Sequence, residues 1–416
     1  MTETNKAAPS LGVSPTSRTR PKRSRNVFLL AATALVAAAW SYLAGRLASG
    51  VVEGALLALP CVLIWIVPAI YWGGRRRDAT IADKIVVQAS YFSMAWISFL
   101  AVLALARDFV LLVTLPFPGL ADVHAFARDS GPTIVMAGAL LAVIVGAANA
   151  IWGVRVRRVD LAFANLHPDL DGLRIAQISD LHVGRNIRAR YVEKIVALTK
   201  SLDADVIALT GDMVDGPVER LAGDVASLKA LASGGHGFFI LGNHDGYSGA
   251  QAWVTHFRAL GFRVLLNEHT VLRFGDARIV IAGVIDPTLR PGPQPDVALA
   301  GAPEDAFRLL LAHNPKSAPD AARAGFDLQL SGHTHGGQFF PWTLVVRRVH
   351  APHSHGLSNE GRMRVYVSPG TGTWGPLVRL GTRPEVTLIR LVGGGARLKA
   401  RASPPYGTEE NQGFPP

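Results

Sequence analysis

Four runs of this chain carry no charged side chain, and all four lie within its first 158 residues: 27–44, 54–72, 85–106 and 132–154. At 18, 19, 22 and 23 residues, each comes close to the roughly 20 residues that a helix needs to cross the hydrocarbon core of a bilayer. Backbone in lipid must satisfy its own hydrogen bonds, so each run is expected to be a helix. As buried helices of a soluble domain, four such runs would leave almost no polar surface. A four-helix transmembrane bundle is therefore the expected arrangement. No run holds an acid, a base or a histidine, groups that transport pathways generally need, so the bundle reads as an anchor or a platform for substrate access.

The charges set the orientation. Residues 1–158 hold 16 Lys and Arg against 7 Asp and Glu, and this third therefore carries 9 of the chain's 11 net positive charges. No broad nucleic-acid footprint is expected on the more polar remainder. Twelve cations flank the two ends of the bundle and its middle loop: Arg18, Arg20, Lys22, Arg23, Arg25, Arg75, Arg76, Arg77, Lys84, Arg155, Arg157 and Arg158. The other two loops hold only Arg46, Arg107 and Arg128. Positive charge stays on the cytoplasmic side, which puts both termini and everything after residue 158 in the cytoplasm of a cell whose inner or plasma membrane holds the spans. A cleaved signal peptide would also explain the first run, but its removal would invert the later spans against the charge bias. The segment 109–121, short and broken by Pro116 and Pro118, reads as interfacial or re-entrant. The polar ends 1–26 and 402–416 are expected to be disordered. The single cysteine, Cys61, lies in an apolar run and excludes a disulfide framework or a thiolate metal site.

Residues 159–401 form the expected second unit. Short apolar runs alternate with helical stretches such as 188–201 and 218–232, the grammar of an α/β domain. A polar cluster follows each run at the end where open α/β sheets bind ligands. After 173–179 comes Asp180-Leu-His182. After 205–210 comes Gly211-Asp212-Met-Val-Asp215, and after 237–241 comes Gly242-Asn243-His244-Asp245. His313 follows 309–312, and Gly332-His333-Thr-His335 follows 328–331.

Two Asp, one Asn and four His make a ligand set of nitrogen and oxygen without thiolate, suited to two divalent ions of Mn, Fe or Zn. A continuing strand would send Asp180 and His182 to one side, and likewise His333 and His335. Asp212 is placed to bridge two ions, which about 3.5–4 Å apart can clamp an in-line displacement at phosphorus. His244 is then the group to protonate the leaving oxygen or to stabilise charge on the phosphoryl oxygens, with Asp245 orienting its imidazole and Asp215 supporting the loop.

These blocks, D-x-H, G-D, G-N-H-D, H and G-H-x-H in order from Asp180 to His335, resemble the calcineurin-like metallophosphoesterases. The start Ser179-Asp-Leu-His-x-Gly184, the close Gly332-His-Thr-His-Gly-Gly-Gln338 and the run Tyr366-Val-Ser-x-Gly370 resemble its membrane-anchored subgroup. The resemblance implies a four-layer αββα sandwich. It also implies one metal on Asp180, His182, Asp212 and His335, a second on Asp212, Asn243, His313 and His333, and His244 as the acid. A metal-bound hydroxide would attack a phosphodiester or pyrophosphate, and the bundle directs the expectation to a lipid-linked substrate. A related lipid A enzyme, UDP-2,3-diacylglucosamine pyrophosphatase, usually carries Arg where this chain has His244. An anchored phosphodiesterase or phosphomonoesterase for soluble substrates and a silent phosphate-binding sensor are the rival readings.

Gly370-Thr-Gly372-Thr-Trp-Gly375 has dinucleotide-loop spacing, but Pro376 and a strand-like stretch follow where a helix would be needed. It reads instead as a glycine loop closing near the substrate phosphate, with Arg379 as a phosphate contact.

Overall fold

The computed structural model describes residues 22–65 and 81–393. The expected disorder of 1–26 and 402–416 falls largely outside these residues, except that Lys22 already opens a helix.

Among the described residues, three helices are long and apolar enough to cross a membrane: α1 (Lys22–Leu47), α3 (Ile81–Thr114) and α5 (Gly131–Trp152). The run at 54–72 is described as a helix only in α2 (Val51–Leu63), and 66–72 lie outside the described residues. The third span and the segment 109–121 are corrected. α3 runs unbroken for 34 residues, takes in 109–114, and ends before Pro116. The charges that seemed to end the span are satisfied inside the bundle. Arg107 donates to the carbonyls of Ala127, Arg46 and Arg128 at 2.9, 3.3 and 3.2 Å. Asp108 accepts from the Tyr42 hydroxyl and pairs with Arg46, both at 2.9 Å. A paired charge at a helix end does not force the backbone to turn. After a short turn at Pro118, α4 (Ala121–Asp129) leads into α5.

β1 (Arg155–Phe163) follows α5 almost at once, so Arg155, Arg157 and Arg158 belong to a strand. It lies at the edge of a mixed six-stranded sheet ordered β1-β12-β2-β3-β4-β5. Its partners are β2 (Arg174–Ile178), β3 (Val206–Leu209), β4 (Gly237–Phe239), β5 (Arg263–Val264) and β12 (Glu385–Gly393). The second mixed sheet is ordered β10-β11-β9-β8-β7-β6. It comprises β6 (Glu268–Phe274), β7 (Ala277–Gly283), β8 (Phe307–Leu311), β9 (Leu328–Ser331), β10 (Gly356–Glu360) and β11 (Met363–Val367).

Three apolar cores order the layers. Ile175, Phe238, Ile281, Leu309 and Leu330 fill the space between the sheets. Outside the first sheet pack α6 (Ala189–Lys200), α7 (Val218–Val225) and α9 (Ala250–Ala259), through Val192, Leu221, Trp253 and Phe257. Outside the second pack α10 (Pro295–Leu299) and α11 (Ala318–Ala324), through Ala298, Ala318 and Ala321. The central strands are buried on both faces, as expected of parallel strands covered by helices.

The sheets are also tied by polar groups. Gln177 on β2 donates to the Ser331 carbonyl on β9 and to the Thr210 hydroxyl, both at 2.9 Å. Both acceptors lie at the strand ends that carry the polar clusters.

The α/β unit sits against the bundle through two loops. Phe339 and Val378 join the bundle core beside Leu100, Ala139 and Val143. Gly146 of α5 makes the second contact possible: its carbonyl accepts from the Arg379 N–H at 2.8 Å, and a Cβ there would lie 2.5 Å from Val378 Cγ1. Gly146→Ala is expected to destabilise the protein by about 1–2 kcal/mol through overpacking, despite its gain in helix propensity. Gly45→Ala in α1, where a Cβ meets nothing within 4 Å, should be neutral or stabilising. Thermal unfolding of the two variants in detergent checks this.

Candidate metal centre

The parallel strands of the two sheets end together, and each end delivers its cluster to one place. Ser179 and Gly211 close up by backbone pairing: the Asp180 N–H donates to the Gly211 carbonyl at 3.0 Å, and the His182 N–H to the Asp212 carbonyl at 3.0 Å. The His333 N–H of the opposite sheet donates to the Asp180 carboxylate at 2.9 Å.

The strands do not continue through the clusters. β2 stops at Ile178 and β9 at Ser331. Asp180, His182, Asp212, His333 and His335 all have left-handed backbone, with φ of 53, 52, 54, 71 and 51°. This corrects the expected pleat: the paired side chains reach one side through left-handed residues, each of which costs energy for a side chain with a Cβ.

The ligand atoms gather in overlapping groups within 4.8 Å: Asp180 with His182 and His335, Asp212 with His313 and His333, and His182 with Asp212 and His244. His182 Nε2 and His335 Nε2 face each other at 3.0 Å, with Asp180 Oδ1 3.3 Å from the latter. Asp212 Oδ2 lies 3.1 Å from His313 Nε2 and 3.9 Å from His182 Nε2, between the two sides. Asn243, at the start of α8 (Asn243–Tyr247), places Oδ1 3.0 Å from His333 Nδ1.

Two of the imidazoles are turned by acceptors behind them. His182 Nδ1 faces Asp215 Oδ1 at 3.0 Å, and His313 Nδ1 faces the Thr210 carbonyl at 2.9 Å. Each Nδ1 must carry the proton there, which presents the Nε2 lone pair to the cluster. Lone pairs that converge with buried carboxylate oxygens repel one another unless a cation lies among them. The donor set, nitrogen and oxygen without sulfur, fits divalent ions. Without metal, protons do that work. Burial opposes charge on His182, but the carboxylates of Asp215, Asp212 and Asp180 outweigh it and hold its pKa at about 9. His313 is likewise raised well above its ordinary value against burial, chiefly by Asp212. Burial and the charge of His313 push His333 down to about 3.

Asp215 and Asp245 exchange the roles expected of them. Asp215 Oδ1 accepts from His244 Nδ1 at 2.7 Å as well as facing His182, so it orients both imidazoles. Asp245 is buried and takes the backbone N–H groups of Asp212, Met213, Val214 and Gly242 at 2.7–3.1 Å. It holds the loop. Burial and the neighbouring charge of Asp212 raise its pKa to about 7. The His244 N–H donates to Asp212 Oδ1 at 2.7 Å, and its half-buried ring stands edge-on to His182.

The glycine loop is also relocated. Thr371 and Gly372 donate to the Ser179 and Asp180 carbonyls at 2.7 and 3.0 Å, behind the ligands. Gly370, at φ 92°, passes within 3.3 Å of His335 Nδ1 where its Cβ would be. Arg379 is no surface phosphate contact. It is fully buried, donates to the Gly372 carbonyl through Nε and Nη2, and lies 3.3 Å from His335 Nδ1. Burial lowers its pKa to about 10.

Further residues outside the five ligand blocks stand at the site. His350 sets its ring edge-on to His333 at 5.9 Å, and Trp374 lies 6.0 Å from His244. Asp286 is buried, and burial raises its pKa. Tyr91 of α3 lines a cleft with His182, Arg185 and Asp215.

The calcineurin-like phosphoesterase family profile matches residues 173–337. An uncharacterized metallophosphoesterase of Campylobacter jejuni is 30% identical over 327 residues, covering 76% of this chain and 84% of that one. The chain belongs to the calcineurin-like metallophosphoesterases. A zebrafish transmembrane protein with metallophosphoesterase domain is 33% identical over 273 residues, 61% of this chain; the match spans 62% of that relative's length. An uncharacterized metallophosphoesterase of Aquifex aeolicus is 30% identical over 263 residues and covered over 99% of its length.

Two outcomes are expected. Asp212→Asn should lower bound metal at both sides of the site, read by elemental analysis. Metal must displace the proton on His182 below about pH 9, so apparent affinity should rise with pH up to that point, with proton release on binding. Titration calorimetry in buffers of different ionisation enthalpy reads both.

Proposed function

We propose that this metallophosphoesterase is membrane-anchored, works with two divalent ions, and cleaves a phosphodiester or pyrophosphate, with a lipid-linked substrate as its natural class. The observation that carries the reading is Asp212, whose carboxylate stands between His182 Nε2 and His313 Nε2 at 3.9 and 3.1 Å. Asp180, His182, Asp212 and His335 would hold one ion. Asp212, Asn243, His313 and His333 would hold the other. When bound, the pair supplies Lewis acidity toward the phosphoryl oxygens and lowers the pKa of a water.

The chain's own groups supply the rest. Asp215 fixes His244 through Nδ1 and leaves Nε2 to hold a proton for the leaving oxygen. Asp245 keeps the Asp212 loop in place by its backbone N–H groups, and the glycine loop at 370–372 backs the Asp180 turn. The apolar helices support anchoring in an inner or plasma membrane, and the distribution of cations supports a cytoplasmic site. The phosphoesterase unit then runs from β1 through β12. Its contacts with α3 and α5, and Tyr91 of α3 in the cleft, support a substrate held in the same membrane.

The test is hydrolysis by the full chain in detergent. Bis-p-nitrophenyl phosphate should be cleaved with Mn, Fe or Zn and not after chelation. His244→Ala should lower kcat by about 10²–10⁴-fold with metal content unchanged. No turnover in the metal-loaded protein would overturn the reading in favour of a binding module.

A further inference from the structure

α12 (Trp342–Val349) presents an apolar stripe to the outside. Trp342, Val345 and Val349 recur at i, i+3 and i+7, on one face of a helix. They are 39, 46 and 61% exposed. Phe340, just before the helix, and Trp374, in the loop beside it, are also exposed. Contiguous apolar surface of this kind marks an interaction face.

The face is continuous with the bundle. Trp342 Nε1 donates to Ser98 Oγ on α3 at 3.2 Å, and the Phe339 ring lies 5.6 Å from that of Phe99 in the bundle core. Gln338 ties the two loops together, donating to the Trp374 and Pro376 carbonyls at 3.0 and 2.9 Å. Arg348 is exposed on the flank of the stripe, and Arg347 is exposed on the opposite side of the helix. A long cationic side chain flanking an apolar stripe, with tryptophan at its end, suits the headgroup region of an anionic membrane.

We infer that α12 and the Trp374 loop are seated in the surface of the bilayer that holds the spans, so that the metal centre opens at headgroup level. Both elements border the site, α12 through His350 against His333 and the loop through Trp374 against His244. A substrate headgroup would then reach the ions while its chains stay in the membrane. The inference rests on α1, α3 and α5 being membrane spans, but not on any hydrolytic activity.

The test uses the full chain, with Cys61→Ala, reconstituted into phosphatidylcholine–phosphatidylglycerol vesicles. Single cysteines replace Val345, Leu141 on the exposed side of α5, or Ser201 at the far end of the sheets. Each carries an environment-sensitive fluorophore, and lipids bearing a quencher near the headgroup or at mid-chain are added. The Val345 label should be blue-shifted and lose emission to the shallow quencher, the Leu141 label to the deep one, and the Ser201 label to neither. If Val345 behaves like Ser201 while Leu141 is quenched, the seating is wrong and the anchoring stands. If Leu141 is also unquenched, the spans and the seating both fail. A blue-shifted but unquenched Val345 label that cross-links between copies would overturn the proposal in favour of a second copy on this face.

Discussion

The carboxylates of Asp180 and Asp212 are buried together, with Asp215 close by, and burial leaves them no water to spread their charge into. The rest of the site can be understood as the supply of positive charge to that point. Imidazoles come in from both sheets, and in the metal-free protein His182 and His313 keep protons well above the usual histidine range. The strand ends bend into left-handed turns to bring these groups together, a strained backbone that the surrounding hydrogen bonds of Asp245, Gln177 and the glycine loop hold in place. Divalent cations are the charges suited to replace those protons, since one such ion satisfies several lone pairs at once.

The division of labour between the sheets follows from their order. β2, β3 and β4 carry Asp180, His182, Asp212, Asn243 and His244, while β8 and β9 carry His313, His333 and His335. Neither sheet holds a complete ligand set. Any change that shifts one sheet on the other therefore acts on the whole Asp/His cluster, with Gln177 bridging β2 to the end of β9 directly behind it.

Much of this was legible because strands announce themselves by short apolar runs and the ligands stand at their ends. The runs at 173–179, 205–210, 237–241 and 328–331 became β2, β3, β4 and β9, each with its polar cluster just beyond. What could not be read depended on backbone angles and on partners distant in sequence. Nothing in Asp-Leu-His tells that both outer residues turn left-handed. Asp215 and Asp245 are both acids near ligands, and only the fold decides which meets an imidazole and which meets backbone N–H groups. Arg379 looked like a phosphate ligand because a free arginine after a glycine loop usually faces solvent, whereas here the loop folds over it. The length of α3 was hidden by Arg107 and Asp108, whose pairing with Ala127, Arg46 and Tyr42 cannot be seen from a hydropathy run.

Arg379 belongs to two parts of the molecule. Its backbone is held by α5, the N–H by the Gly146 carbonyl at 2.8 Å and the carbonyl by Asn149 Nδ2 at 3.3 Å. Its guanidinium packs against the ring and carbonyl of His335. A tilt or axial slide of that helix would reach His335 through Arg379 with no flexible linker between them. The position of α5 and the geometry of His335 are joined through one buried side chain.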